Sequence, residues 1–255
     1  MNLDFLAHAP FWVALGQIIA IDIVLGGDNA VVIALACRKL PPAQRTKGIV
    51  YGTAGAIILR VVLVVFAMKL LTLPLLRLLG ALLLVWIGVK LMAPEEEGHG
   101  NIEGSDRLLA AIKTVIVADV VMSLDNVIAI AGAAQNAPGQ QVLLVTLGLL
   151  ISIPIIIGGS QLIIRLMERF PVIVTLGGML LGWIAGGMLV SDPLLADTFA
   201  RLRDMLNLAA LPWYVARALV EGGPGTCGAL LTLALGKWLA TRRAAAARGR
   251  ATPGG

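Results

Sequence analysis

The chain has 255 residues, 58% of them hydrophobic and 14% charged, and its mean hydropathy is +0.91. That composition excludes an ordinary soluble domain and leaves no room for a large water-facing one between the apolar runs. The net charge of +5 is accounted for by where the basic residues fall between those runs, so no nucleic-acid partner is expected.

Crossing a bilayer takes about 20 apolar residues in helical form. Windows of that kind occur at Phe11 to Ala36, Gly48 to Met68, Pro74 to Met92, Ala110 to Ala134, Gln141 to Leu162, Pro171 to Val190 and Gly222 to Ala240. They predict an all-α membrane protein of seven transmembrane helices, a single transmembrane domain over 1–255. The stretch before the first window has no Lys or Arg and includes Asp4, so it lacks the basic start of a cleavable signal peptide and the first window is expected to be retained. Fourteen Lys and Arg residues fall on one side of the seven windows and five on the other, with Arg60 inside a window. The positive-inside rule then sets the N-terminus outside and the C-terminus in the cytoplasm, with a bacterial cytoplasmic membrane as the expected location. Cys37 and Cys227 lie at the edge of one window and inside another, where buried, inert thiols are expected and a disulfide framework is not.

The first and fourth windows each carry an acidic motif, Asp22 to Asn29 (DIVLGGDN) and Asp119 to Asn126 (DVVMSLDN). An ionised Asp at the centre of a membrane helix costs roughly 2.5–3.5 kcal/mol, so four unpaired acids cost about 10–14 kcal/mol. That rivals the net stability of an ordinary domain, and a cation between the acids is the expected remedy. The second motif follows the first by 97 residues, and the offset persists without a gap: it pairs Ile33 with Ile130, Pro41 with Pro138, Pro74 with Pro171, Gly80 with Gly177 and Trp86 with Trp183. Each copy holds three windows, an odd number, so the two are expected to enter the bilayer in opposite directions. Repeat one covers 11–93 and repeat two covers 108–190, an inverted repeat of the kind that binds substrate near the midplane in many secondary transporters. Beyond it lie an extracytoplasmic amphipathic connector at 191–213, a seventh span at 214–240 and a disordered basic tail at 241–255.

Within each motif the two acids are six residues apart, which on an unbroken helix turns the second about 120° from the first. Gly26 and Gly27 offer a place to stop and restart the helix, with Asp28 and Asn29 as candidate N-caps. A break there brings both acids to one point and frees main-chain oxygens. The second copy has Ser123 and Leu124 at the glycine positions, which leaves both a break and a continuous helix open. Carboxylate, amide and main-chain oxygens form a hard donor set suited to Mg, Ca or Mn, and no His or Cys lies near them to favour Zn or Cu. Met122, three residues after Asp119, is either a thioether tilting the choice toward Mn or a packing residue. Buried acids also take up protons when empty, which makes them natural exchangers of metal for H⁺.

The pairing of DIVLGGDNA with ADVVMSLDN in two three-span halves, followed by a seventh span, resembles the TerC family of integral membrane proteins, named for tellurium resistance and associated with manganese export. The resemblance covers roughly residues 11 to 240. It implies metal contact by Asp22, Asp28, Asn29, Asp119, Asp125 and Asn126. Gly26, Met122 and Ser123, by their places in the two motifs, are candidate auxiliary contacts. Leu124 departs from the Gly27 pattern and leaves main-chain coordination in the second half open. Moving a divalent cation outward against about 100 mV costs about 4.6 kcal/mol, so export needs a coupled ion, and proton antiport is expected. No prosthetic cofactor is implied: Mn²⁺ enters as the transported substrate, with Ca²⁺ as its alternative. The expected partners are the divalent metal, protons and the lipid bilayer, and self-association into a homo-oligomer is left open.

Arg60 is read either as a counter-charge for an acid in the absence of metal, or as a residue snorkelling to an interface or pairing structurally. Gly178, Gly182 and Gly186 recur every four residues and predict close helix packing, and Trp86 and Trp183 are read as core. The run Glu95 to Glu97 with His99 is read as a solvated loop. No catalytic constellation is present, so an enzyme is not expected; the Gly-x-Gly-Asp pattern of intramembrane aspartyl proteases is unmatched at Gly26-Gly27-Asp28. Export of another small cation or an amino acid, and a metal-binding scaffold in a metal or tellurite stress complex, are the competing readings.

Overall fold

The computed structural model describes residues 9–70, 75–93, 104–134, 141–205 and 222–251, and among these every regular element is helical. In chain order they are α1 (Ala9–Leu25), α2 (Gly27–Cys37), α3 (Pro42–Leu70), α4 (Leu76–Met92), α5 (Gly104–Ala134), α6 (Gln141–Arg169), α7 (Val172–Val190), α8 (Pro193–Met205) and α9 (Gly223–Ala251). The Glu95–Glu97 and His99 run lies outside the described residues.

Where the helices start and stop follows local chemistry. Gly26 leaves the helical region at φ −95°, ψ 2°, and α1 meets α2 there at a 50° bend. Proline opens α3 and α8 at the first helical position, where its missing N–H has no partner to lose. Leu75, just before α4, is the one non-glycine residue with positive φ (68°) among the described residues. Its N–H and that of Leu78 point at the Asp192 carboxylate, at 3.4 and 3.1 Å, and the Leu194 N–H reaches the same group at 2.9 Å. One carboxylate therefore caps the starts of both α4 and α8.

Among the described residues three helical stretches are long and apolar enough to cross a membrane, Pro42–Phe66, Gln141–Arg169 and Val172–Val190, and α1 with α2 adds a fourth as one broken span. Helix α4 has 17 residues, about 26 Å, just short of the ~30 Å hydrocarbon core.

The chain forms two compact units. One comprises Met1–Thr72 and Gly104–Glu168, the other Leu73–Glu103 and Arg169–Gly255. In the first, Phe11, Ala14, Leu15 and Ile18 of α1 pack with Ile57 of α3, Ile130 and Ala134 of α5, and Leu144, Val145 and Leu149 of α6. Glycine permits the closest approaches: a methyl group on Gly52 would sit 2.9 Å from Val115, and one on Gly148 would sit 2.5 Å from Ile18. In the second unit the close packing expected of the α7 glycines is present. A Cβ on Gly182 would lie 2.3 Å from the Gly228 carbonyl oxygen, and one on Gly186 would lie 2.0 Å from that of Pro224. The backbones of α7 and α9 thus touch without intervening side chains.

Four expectations are corrected here. Trp86 and Trp183 are not core but 56% and 43% exposed, because they lie off the faces that α4 and α7 bury, centred on Leu84 and Leu181; Lys90 stacks over the Trp86 ring at 4.9 Å. Cys37 is buried as expected, whereas Cys227 is exposed. The basic tail is helical as far as Ala251, since its alanine run has the highest helix propensity of any residue. Finally, α2 begins at Gly27 with Gly26 in the cap position and no side-chain cap, so Asp28 and Asn29 lie inside the first turn rather than at the N-cap.

Candidate functional site

Four helices of the first unit bring polar side chains to one buried point: Asp22 from α1, Arg60 from α3, Asp119 and Ser123 from α5, and Ser152 from α6. Their relative exposures are 3% for Asp22, 2% for Arg60 and 6% for Asp119, with both serines fully enclosed. The Arg60 guanidinium divides its two ends, Nη1 donating to Asp22 Oδ1 and Nη2 to Asp119 Oδ1. The second oxygen of each acid is also taken. Ser152 Oγ donates to Asp22 Oδ2, and Ser123 Oγ donates to Asp119 Oδ2 at 3.1 Å. All four carboxylate oxygens therefore face a donor, and with both acids ionised the triad carries one net negative charge. Breaking such a buried arrangement by deleting one partner typically costs about 3–5 kcal/mol, even though the intact arrangement adds little to stability.

The second acid of the first motif stands apart from this network. Asp28 is half-buried in the first turn of α2, where its Oδ1 accepts the Asn29 N–H at 2.8 Å, and it lies within electrostatic range of Asp119 and Arg60. Asn29 is 2% exposed, yet neither its amide nitrogen nor its amide oxygen has a hydrogen-bond partner among the described residues. A buried amide left open at both ends is costly and uncommon. Gly26 is required at the bend, since a Cβ there would fall 2.2 Å from the Asp22 carbonyl oxygen, whereas one on Gly27 would meet nothing within 4 Å.

In the second motif α5 runs unbroken from Gly104 to Ala134. Ser123 and Leu124 sustain the helix where the first copy has two glycines. On that continuous helix Met122 is buried and Asn126 half-buried; the Asp125 side chain lies outside the described residues. Among the described residues no three His, Cys, Asp or Glu side chains gather closely enough to hold a metal ion, and Arg60 stands between Asp22 and Asp119.

Sequence reasoning overlooked Ser152. Its signal is a hydroxyl in the middle of an apolar run, four residues after Gly148 and two before Pro154. The Ser152 Oγ also lies 3.0 Å from the Leu149 carbonyl oxygen, but a carboxylate is the stronger acceptor for its one proton.

Residues 7–221 match the family described as "Integral membrane protein TerC family". The chain belongs to that family. It is similar to the "Uncharacterized membrane protein YjbE" of Bacillus subtilis, 42% identical over 182 residues that cover 71% of this chain and 81% of that one. It is also similar to the "UPF0053 inner membrane protein YgdQ" of Escherichia coli, 32% identical over 49% of this chain and 60% of the relative. The "UPF0053 inner membrane protein YoaE" of Escherichia coli is 27% identical over 68% of this chain and 36% of its own length. No solved structure matches. In this TerC-family chain the matched region includes the whole network, from Asp22 to Ser152, so the buried Asp–Arg–Asp triad lies within the family's common part.

Proposed function

We propose that this TerC-family membrane protein exports a divalent metal cation, foremost Mn²⁺, in exchange for protons. In this reading the two halves form an inverted repeat within seven spans, with the N-terminus outside and the C-terminus in the cytoplasm, and the acids of the two motifs ligate the metal near the midplane. The observation that carries it is the meeting of Asp22 and Asp119, equivalent positions 97 residues apart, around one buried cation. Two carboxylates that converge on a positive group inside an apolar bundle form a cation site whose present occupant is a side chain. In this reading the open amide of Asn29 and the Asp28 carboxylate supply further hard oxygens, the donor type that Mn²⁺ takes. Protons are the coupled ion in this reading: they exchange for the metal at these acids and supply the coupling that outward movement against the membrane potential needs.

The test is Mn²⁺ flux in proteoliposomes under an imposed pH gradient. The wild-type chain moves Mn²⁺ in response to the gradient, and Asp22→Asn, Asp28→Asn and Asp125→Asn abolish that flux. Unchanged flux and pH dependence in all three variants sinks the reading, and absence of flux in the wild type, with metal still bound, favours a scaffold. One observation favours a second reading, export of a small organic cation: the occupant of the site is itself a guanidinium. Uptake of labelled arginine or methylguanidinium in the same vesicles, with no Mn²⁺ flux, decides for it.

A further inference from the structure

We propose that Arg60 is a tethered competitor for the metal site, so that Asp22 and Asp119 hold either the guanidinium or the transported cation and never both. The inference rests on the divalent-cation reading given under Proposed function, and it concerns how that site is regulated.

Three observations carry it. First, the guanidinium contacts both acids at once through Nη1 and Nη2, so it stands between Oδ1 of Asp22 and Oδ1 of Asp119. A metal bridging those oxygens at about 2.0–2.6 Å would occupy the same volume. Second, the remaining oxygen of each acid is engaged by a serine hydroxyl, so every carboxylate oxygen of the pair already accepts a hydrogen bond while Arg60 stays. Third, the first motif carries two further oxygen donors outside this network: the enclosed Asn29 amide, open at both ends, and the half-buried Asp28 carboxylate. A cation gains Asp22 and Asp119 only when Arg60 withdraws. The offset of 97 residues puts Ile157 opposite Arg60, so the competitor belongs to one half alone.

Such a device has an opposite effect on binding and on transport. With Arg60 in place, the apparent affinity for metal is reduced by the fraction of molecules in which the site is free. Removing the guanidinium therefore tightens binding. It also leaves protons as the one remaining means of neutralising the two facing acids of the empty carrier, which hinders its return. A merely structural Arg60 would instead weaken binding and transport together.

The experiment is Mn²⁺ titration of the purified full-length chain in nanodiscs by calorimetry, with Mn²⁺ exchange measured in proteoliposomes. Arg60→Gln is expected to bind Mn²⁺ about tenfold or more tightly than wild type while its exchange rate falls. Arg60→Lys, which keeps the charge, is expected to lie between the two. In Arg60→Ala, millimolar methylguanidinium is expected to weaken Mn²⁺ binding, an effect that is small in wild type. Should Arg60→Gln fail to fold, the Arg60→Lys titration and the methylguanidinium response still decide. Wild-type binding that Arg60→Gln, or Arg60→Lys in its stead, leaves equal or weaker, with no methylguanidinium effect in Arg60→Ala, overturns the competitor and leaves the transport reading standing. Absence of Mn²⁺ binding in wild type and every variant overturns both.

Discussion

Ser152 and Ser160 make a matched pair for testing the network. Both sit on α6, two turns apart, and both are fully enclosed. Ser152 donates across to the Asp22 carboxylate from a neighbouring helix, whereas Ser160 returns its proton to the Ile156 carbonyl of its own helix at 2.8 Å. A hydrogen bond to a charged group contributes about 1.5–3 kcal/mol, while interhelical bonds in membrane proteins average about 0.6 and reach about 1.7 kcal/mol. A carboxylate acceptor with no water to replace the lost donor puts Ser152 at the upper end. Ser152→Ala should therefore cost about 1.5 kcal/mol. Ser160→Ala removes only a local back-bond that competes weakly with the helix, so it should cost less than about 0.5 kcal/mol. Reversible unfolding by SDS titration in mixed micelles gives both values, and removal of a methyl-sized polar group creates a similar void at each site. Equal losses, or a larger loss at Ser160, would refute the claim that Ser152 belongs to the charge network.

Two further outcomes follow from positions already placed. Gly26→Ala forces a Cβ within 2.2 Å of the Asp22 carbonyl oxygen, so it should unseat Asp22 and abolish Mn²⁺ flux, whereas Gly27→Ala, with open space around it, should leave flux near wild type; transport assays on the two variants check this. The Asp192 carboxyl is held below its ordinary range, because the N–H groups of Leu194, Leu78 and Leu75 outweigh the burial that pushes it up. Its contribution to stability is thus complete above the unfolded-state value near 3.9 and is lost as the pH falls through the lower folded-state value. Thermal melts from pH 6 to below pH 3 should show wild type more stable than Asp192→Asn at the upper end, with the gap closing at the lower.

The part of the site that was legible lay along the chain. A fixed offset of 97 residues linked Asp22 to Asp119, and a Gly-Gly pair inside an apolar run marked the bend at Gly26. What crossed between helices was not. Nothing in the periodicity of α3 tells whether Arg60 turns to two acids or to an interface, because that depends on how α3 lies against α1 and α5. Ser152 carries no motif, and only its tertiary contact with Asp22 gives it a role. Hydropathy also fails to tell a core-facing residue from a lipid-facing one, since both are apolar, and Trp86 and Trp183 turned out to face outward for that reason. In the second motif the choice between a break and a helix was open in the sequence, and Ser123 settled it in favour of the helix by using its hydroxyl on Asp119 four residues back.

The difference between a bent first motif and a straight second one has an electrostatic consequence. Where α1 ends at Leu25 and α2 begins at Gly27, the chain presents a partly negative carbonyl end and a partly positive N–H end within a few residues, each equivalent to about half an elementary charge. Asp22 sits in the last turn of the first dipole and Asp28 in the first turn of the second, so the backbone opposes the charge of Asp22 and supports that of Asp28. Helix α5 runs through its motif without such ends, and its backbone is electrically quiet beside Asp119. Two matching strings of amino acids thus deliver unlike fields to a cation, and the first half alone can sort its two acids into one more and one less willing to part with a positive guest.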